Sequence, residues 1–257
     1  MTIRNDLAHF YDEQAKYWEV TRRKHRPEFD YVFEQIESHP SDEIRIVELG
    51  CGDGRLCRGL EQRSNKKIKY TGVDISKGLL DIAREKGPKH ERIEAAMEEY
   101  VTECDQESVD FFISVASFHH LPDQKSRLLT LVNIYRALKY GGQHISFNWA
   151  FSQWFRKKMK RPIIYAWMLH IATFGRKNKR DIMVPFYTPD KKEKFTRYYH
   201  LFDLEELEYL TRKAGFITRE LCYIATNGEK TQDRSHARNS LLVQEKNVSE
   251  EEEYQRK

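Results

Sequence analysis

The chain has 257 residues, 39% of them hydrophobic and 33% charged, with a net charge of +4. This balance excludes an intrinsically disordered chain and leaves enough apolar residues for a buried core. The longest apolar run, Pro162 to Phe174, is shorter than the roughly 20 residues of a membrane span, and the opening stretch with Asp6, Asp12 and Glu13 lacks a signal-peptide pattern, so a cytoplasmic location and no membrane partner are expected.

Two helices come first, Asn5 to Val20 and Pro27 to Ser38, the second opened by a proline whose fixed φ suits a helix start. Residues 1–40 therefore read as an N-terminal helical cap. An alternation of strand and helix follows: strands at Ile44 to Leu49 and Ile68 to Asp74, helices at Leu56 to Arg63 and Lys77 to Glu85. A short strand near Arg92 to Ala95, a strong one at Val109 to Val115, a helix from Asp123 to Leu138 and a strand from Gln143 to Trp149 continue it. After a capped helix from Asp203 to Ala214, Phe216 to Tyr223 and Ser240 to Gln244 read as a closing antiparallel pair. This rhythm predicts an α/β, Rossmann-like fold: a seven-stranded, mostly parallel sheet with helices on both faces. Residues 41–246 form that domain, 151–202 are a basic and aromatic insertion after the fifth strand, and 247–257 read as a disordered acidic tail.

Charge is concentrated in the insertion. Between Phe151 and His200 stand 13 lysines and arginines against three acids, a net +10, so the remainder of the chain carries −6. Interleaved with Trp154, Phe155, Tyr165, Trp167 and Phe174, these cations are what a groove for an RNA backbone with stacking positions requires. A lid helix whose face of Ile163, Ile164, Trp167, Met168 and Ile171 docks on the domain explains many of the same residues. The four cysteines, Cys51, Cys57, Cys104 and Cys222, are scattered without a CxxC pair, which points to free thiols and no metal site.

The chemistry is densest at Val47-Glu48-Leu49-Gly50-Cys51-Gly52-Asp53-Gly54, which ends a strand and opens a helix. Backbone N–H groups are exposed there, and glycine lets a ligand approach them closely. The GxGxG spacing, with Glu48 before the first glycine and Asp53 within the turn, suits a cationic ligand bearing an amino acid better than a pyrophosphate. Asp74, at the tip of the next strand about 20 residues on, stands where a carboxylate accepts two hydrogen bonds from a ribose diol.

Val47 to Leu56, Gly72 to Ser76 and Val109 to Leu121 together resemble the motifs of class I S-adenosylmethionine-dependent methyltransferases, and the resemblance runs from about Ile44 to Gln244. It implies S-adenosylmethionine as cofactor, held by Tyr11, Glu48, Gly50, Cys51, Gly52, Gly54, Asp74, Ile75, Ala96, Met97 and Ser114. The chain departs from the pattern at Ala96, where that family usually has an aspartate for the adenine amino group; Met97 is then an apolar wall, with Glu94 or Glu98 as substitutes. Narrower matches are Tyr11-Asp12 with Thr21-Arg22, Phe147-Asn148-Trp149-Ala150, Val184-Pro185-Phe186 and Arg197-Tyr198-Tyr199-His200-Leu201-Phe202. They resemble the methyltransferases that esterify 5-carboxymethyluridine at the wobble position of tRNA, and their bacterial relatives.

This second resemblance implies a tRNA acceptor surrounded by Arg22, His119, His120, Trp149, Arg197, Tyr198 and His200. Arg197 or Arg22 would orient the carboxylate, and Trp149 or Tyr198 would stack on a flipped-out base. It also implies a small zinc-binding activator subunit if the chain is eukaryotic. From the residues alone, His119 and His120 read as packing and capping groups before they read as bases, and pairing with Asp203 or Glu205 is the alternative for Arg197. A small-molecule O- or N-methyltransferase with a lid insertion is the alternative, and a non-enzymatic cofactor-binding protein a third reading.

Overall fold

The computed structural model describes residues 2–21, 26–87, 89–188 and 192–247. The acidic tail from residue 248 onward and Arg22 lie outside the described residues. The N-terminal region holds α1 (Ile3–Glu13), α2 (Ala15–Thr21) and α3 (Pro27–Glu37). The single first helix expected up to Val20 is broken at Gln14, whose φ of −101° and ψ of 9° end α1. The break lets Leu7 and Phe10 on one side of it and Ala15 on the other all bury inward.

The domain proper runs β1 (Glu43–Leu49), α4 (Arg55–Arg63), β2 (Lys67–Asp74), α5 (Lys77–Lys86), β3 (Glu91–Glu94), α6 (Met97–Glu103), β4 (Val109–Val115), a 3₁₀ turn (Phe118–His120), α7 (Gln124–Ala137) and β5 (Leu138–Trp149). The insertion follows as α8 (Gln153–Lys158), α9 (Lys160–Ala172), β6 (Asp181–Tyr187) and β7 (Lys194–His200). The chain then closes with α10 (Leu204–Lys213), β8 (Ile217–Ala225), β9 (Lys230–Thr231) and β10 (Ala237–Glu245). The main sheet has the order β3-β2-β1-β4-β5-β10-β8-β9. β3 to β5 are parallel, and β10 is antiparallel to both β5 and β8.

The sheet thus has eight strands where seven were expected; the extra one, β9, is two residues long and pairs with Tyr223 and Ile224 of β8. The central strand β4 is buried along its whole length, which is why it reads as an unbroken apolar run and not as an alternation. Its successive side chains go to opposite faces: Phe112 joins Leu49, Val73 and Leu131, while Phe111 joins Ile46, Leu56 and Ile145.

β6 and β7 form a separate antiparallel hairpin, with Asp181 opposite His200 and Val184 opposite Arg197. α9 packs on it through Ile163 and Ala166, which meet Ile182, Val184 and Tyr199. The wider docking face expected for the lid helix is not formed. Ile164, Met168 and Ile171 point away from the protein, with 56%, 61% and 70% of their surface exposed.

Candidate functional site

The carboxyl ends of β1, β2 and β4 open into a cavity of about 630 Å³ that lies under α1 and α2. This is where the strand order reverses and where open α/β sheets leave a crevice. Gly50, Gly52 and Gly54 have φ of 81°, 54° and 75°, left-handed values that β-carbon-bearing residues adopt at a cost. At Gly50 a β-carbon would stand 2.3 Å from that of Ser117, so only glycine lets the turns after β1 and β4 meet. Ser117 Oγ completes the contact by donating to the Leu49 carbonyl at 2.5 Å. At Gly52 a β-carbon would meet nothing within 4 Å, and bare backbone faces the open cavity.

Asp74 is tied into this turn. Its carboxylate accepts from the backbone N–H of Gly52 at 2.8 Å and of Ser76 at 3.0 Å. Burial raises its pKa to about 6. Burial also raises the pKa of Glu48 to about 8, although the Tyr70 hydroxyl donates to it and favours the charged form. Glu48 is therefore mostly protonated at neutral pH, because the opposing pull of Arg92 and Arg55 is smaller than the cost of burial. The thiol of Cys51 is pushed well up by burial, so it stays protonated and acts as a small packing group.

Beyond Asp74 the wall becomes apolar. Ile75, Leu79, Ala95, Ala96 and Met97 line a slot, and Glu98 stands at its edge. Of the two acids weighed as substitutes at this place, Glu98 lines the cavity and Glu94 does not. Two further residues expected here do not reach the cavity. Gly54 caps α4, where a β-carbon would press on Ala83 at 3.1 Å. Ser114 is inside the sheet, hydrogen-bonded to His144 Nε2 at 3.0 Å. Val115, Ala116 and Ser117 line the cavity instead, and Ala116 holds a left-handed φ of 61° to do so.

The roof comes from the cap. The Asp12 carboxylate accepts from the Ser76 hydroxyl at 2.7 Å and the Gly78 N–H at 2.9 Å, which ties α1 to the first turn of α5. Tyr11 reaches His120 Nε2 at 3.2 Å. His120 Nδ1 faces the Tyr198 carbonyl at 2.8 Å and so carries the proton, leaving Nε2 to accept from the tyrosine. His119 has the other tautomer: the Trp149 N–H donates to its Nδ1 at 3.1 Å, so Nε2 bears the hydrogen. That Nε2 is buried and has no hydrogen-bond partner. Burial lowers both histidine pKa values, His120 to about 4, and the neighbouring His120 adds to the effect on His119.

Trp149 stacks on Tyr199 with ring centroids 3.9 Å apart and planes 3° from parallel, and both rings line the cavity. Tyr199, not Tyr198, is the β7 aromatic that reaches the site. Side chains alternate along a strand, so Tyr198 and His200 project to the opposite side, where neither can surround an acceptor. Tyr198 donates to Asp181 at 2.7 Å, and His200 is bracketed by Asp181 at 2.6 Å and Glu206 at 2.9 Å. Arg197 is also absent from the cavity wall, and it pairs with neither Asp203 nor Glu205. Its guanidinium sits 4.8–5.6 Å from the ring centres of Phe10, Trp18, Tyr199 and Phe186, a cation held by aromatic faces behind the wall. Among the described residues the arginines that do line the cavity are Arg4, Arg26, Arg55 and Arg238, and none from Phe151 to Arg197 does. Arg238 is exposed and makes no ion pair among the described residues. It is a single cation at the start of β10, with no motif around it by which the sequence could have marked it.

A family described as a methyltransferase domain matches residues 46–142. The tRNA (carboxymethyluridine(34)-5-O)-methyltransferase of Schizosaccharomyces pombe is 27% identical over 217 residues, 82% of this chain and 89% of that one. Among solved structures, an S-adenosylmethionine-dependent methyltransferase from Methanosarcina mazei superposes with a TM-score of 0.62 at 18% identity, over 84% of this chain and 98% of its own.

The chain is an S-adenosylmethionine-dependent methyltransferase.

A second structure has the same TM-score at 19% identity, covering 96% of this chain and 99% of its own: the methyltransferase in a complex with the Haloferax volcanii Trm112 methyltransferase activator. The cavity of the present methyltransferase fits its cofactor's chemistry. It offers an apolar slot for a base, a carboxylate at a strand tip for a diol, and a second buried acid beside bare backbone for an ammonium group. Among the described residues no group of three or more His, Cys, Asp or Glu side chains is placed to hold a metal ion, and no helix is long and apolar enough to cross a membrane.

Proposed function

We infer that this methyltransferase esterifies the carboxylate of a modified wobble uridine in tRNA. The observation that carries the reading is the acceptor end of the cavity. The Trp149–Tyr199 stack gives a flat surface for an unpaired base, the unpartnered His119 Nε2–H beside it suits an oxygen acceptor, and Arg238 stands at the rim as an available cation. The fission-yeast tRNA (carboxymethyluridine(34)-5-O)-methyltransferase, aligned over most of both chains, supports the same class of acceptor.

At the cofactor end, Asp74 is assigned to the ribose hydroxyls, and Glu48 with the Gly50–Gly52 backbone to the amino-acid moiety. Ala96 and Met97 are assigned to the adenine faces, with Glu98 as the acid nearest the exocyclic amine. The bound sulfonium supplies an already activated methyl group. A carboxylate acceptor is ionised at neutral pH and needs no base, which agrees with two histidines kept neutral by burial. The work left to the protein is alignment, charge and exclusion of water. Arg238 would orient the acceptor carboxylate in place of Arg197, and the roof residue Tyr11 would help to keep water out.

The test uses methyl-labelled cofactor and tRNA carrying the unesterified carboxymethyl group, with and without a small Trm112-type activator subunit as separate arms. Label is expected on tRNA, released by mild alkali as befits an ester and weakened by salt. Tyr199→Ala should cut transfer on the order of tenfold to a hundredfold while cofactor binding stays intact, the range of a lost stacking contact. If tRNA takes up no label in either arm, and extract is labelled equally before and after ribonuclease, the acceptor is a small molecule.

A further inference from the structure

α9 is apolar on two sides, and only one of them is used. Ile163 and Ala166 dock on the β6–β7 hairpin, while Ile164, Met168 and Ile171 form an exposed stripe on the opposite side. At the end of the helix Phe174 is 96% exposed and held at a left-handed φ of 50°, a conformation that L residues adopt at a cost. The left-handed turn closes the helix, with the Gly175 N–H on the His170 carbonyl at 2.8 Å and the Phe174 N–H on the Ile171 carbonyl at 3.1 Å, but no described residue covers the Phe174 ring or the stripe. A helix apolar all round is ordinarily covered on all sides.

The surrounding charge restricts what can cover it. From Phe151 to Arg180 the chain has nine lysines and arginines and not one aspartate or glutamate. Arg180 turns inward to Asp203 and Glu206, and Lys179 lies over the Trp167 ring at 4.7 Å. Lys160, Arg161, Arg176 and Lys177 are exposed at the two ends of α9. A second copy of this chain would bring equal positive charge against this face. RNA would match the charge but would gain little from the aliphatic stripe of Ile164, Met168 and Ile171. An anionic bilayer surface matches both, because apolar side chains enter the acyl boundary while cations at the flanks meet phosphate groups.

We propose that the outer face of α9, with Phe174 at its tip, docks the methyltransferase on membranes rich in anionic phospholipid. The helix lies along the surface and does not span it: its 13 residues extend about 20 Å at 1.5 Å per residue, against a hydrocarbon core of about 30 Å. This surface is separate from the cavity, whose wall contains no α9 residue, so the proposal stands apart from the choice of acceptor and revises the expectation of no membrane partner.

The experiment is flotation of nuclease-treated full-length protein with vesicles of phosphatidylcholine alone or mixed with phosphatidylglycerol at about 7:3. At least tenfold more protein should float with the anionic vesicles, less at high salt. The double variant Ile164→Asp, Ile171→Asp should abolish flotation while its melting temperature and methyl transfer are unchanged, since both side chains are exposed; Phe174→Ser should reduce it. The proposal is overturned if anionic vesicles carry no protein or if the double variant still floats. It is equally overturned if the variant's only defect is in tRNA affinity or in self-association measured by sedimentation.

Discussion

Glu48 and Asp74 are the residues on which the proposed cofactor site turns, and their burial leads to a pH dependence of definite sign. A cationic ligand beside Glu48 favours the carboxylate, whereas burial favours the acid and holds its pKa at about 8. Binding near neutrality must therefore expel a proton. Affinity for S-adenosylmethionine should rise by up to about tenfold per pH unit between about pH 6 and 7.5, with Asp74, at about 6, contributing at the lower end. Calorimetry in buffers of different ionisation enthalpy should register the released proton, and Glu48→Gln should flatten the profile; an unchanged profile in that variant would remove Glu48 from the ammonium subsite. At this scale the glycine turn and Asp74 were legible because close backbone approach and a strand-tip carboxylate each demand one residue type at a fixed spacing. The acid near the adenine slot was not, since Glu94 and Glu98 differ only in which way the chain turns between β3 and α6.

Strand alternation settles a question that the Arg197-Tyr198-Tyr199-His200 string leaves open. One register sends Tyr199 to the cavity and commits Tyr198 and His200 to a polar network that fastens the hairpin to α10 and α7. Its hub is Glu206, in contact with Arg127 at 3.0 Å, Arg180 at 2.7 Å and His200. Burial opposes ionisation of Glu206, but these partners outweigh it and hold the pKa at about 2. The depressed value means that stability from this group is present above the ordinary carboxylate range and is lost as pH falls from about 4 toward 2. Glu206→Gln would strand Arg127, whose side chain is 2% exposed, and should cost about 3–5 kcal/mol in denaturant unfolding at pH 7. A cost under about 1 kcal/mol would mean that the network is ornamental. The motif drew notice as a block, and its division into cavity and network sides required knowing which face of β7 meets Trp149. The same holds for α9, where apolar residues all round the helix gave no hint which side would be left bare.

Over the whole molecule, the mostly parallel sheet and its closing antiparallel pair were legible because alternating strand and helix admits few right-handed arrangements. The two-residue β9 was not, being too short to have a pattern. The fold keeps several histidines uncharged inside it: His119 well below its ordinary pKa, His120 at about 4 and His144 at about 3, in each case chiefly through burial. The unfolded chain binds protons at these positions from about pH 6.5 downward, while the folded one refuses them. Stability should therefore decline as pH falls from about 6.5 toward 4, visible as a falling melting temperature. Replacing the interior His144 by Gln should make that decline shallower; an unaltered slope would show that this imidazole does not titrate on unfolding.

Asp12 gives the architecture a latch. One short side chain hooks the cap to the turn that immediately follows Asp74, so lifting the roof and loosening the floor beneath it are a single event. A nucleoside seated between them leaves no faster than the hook is undone, and a substitution far from any reacting atom can thereby set how often the enzyme turns over.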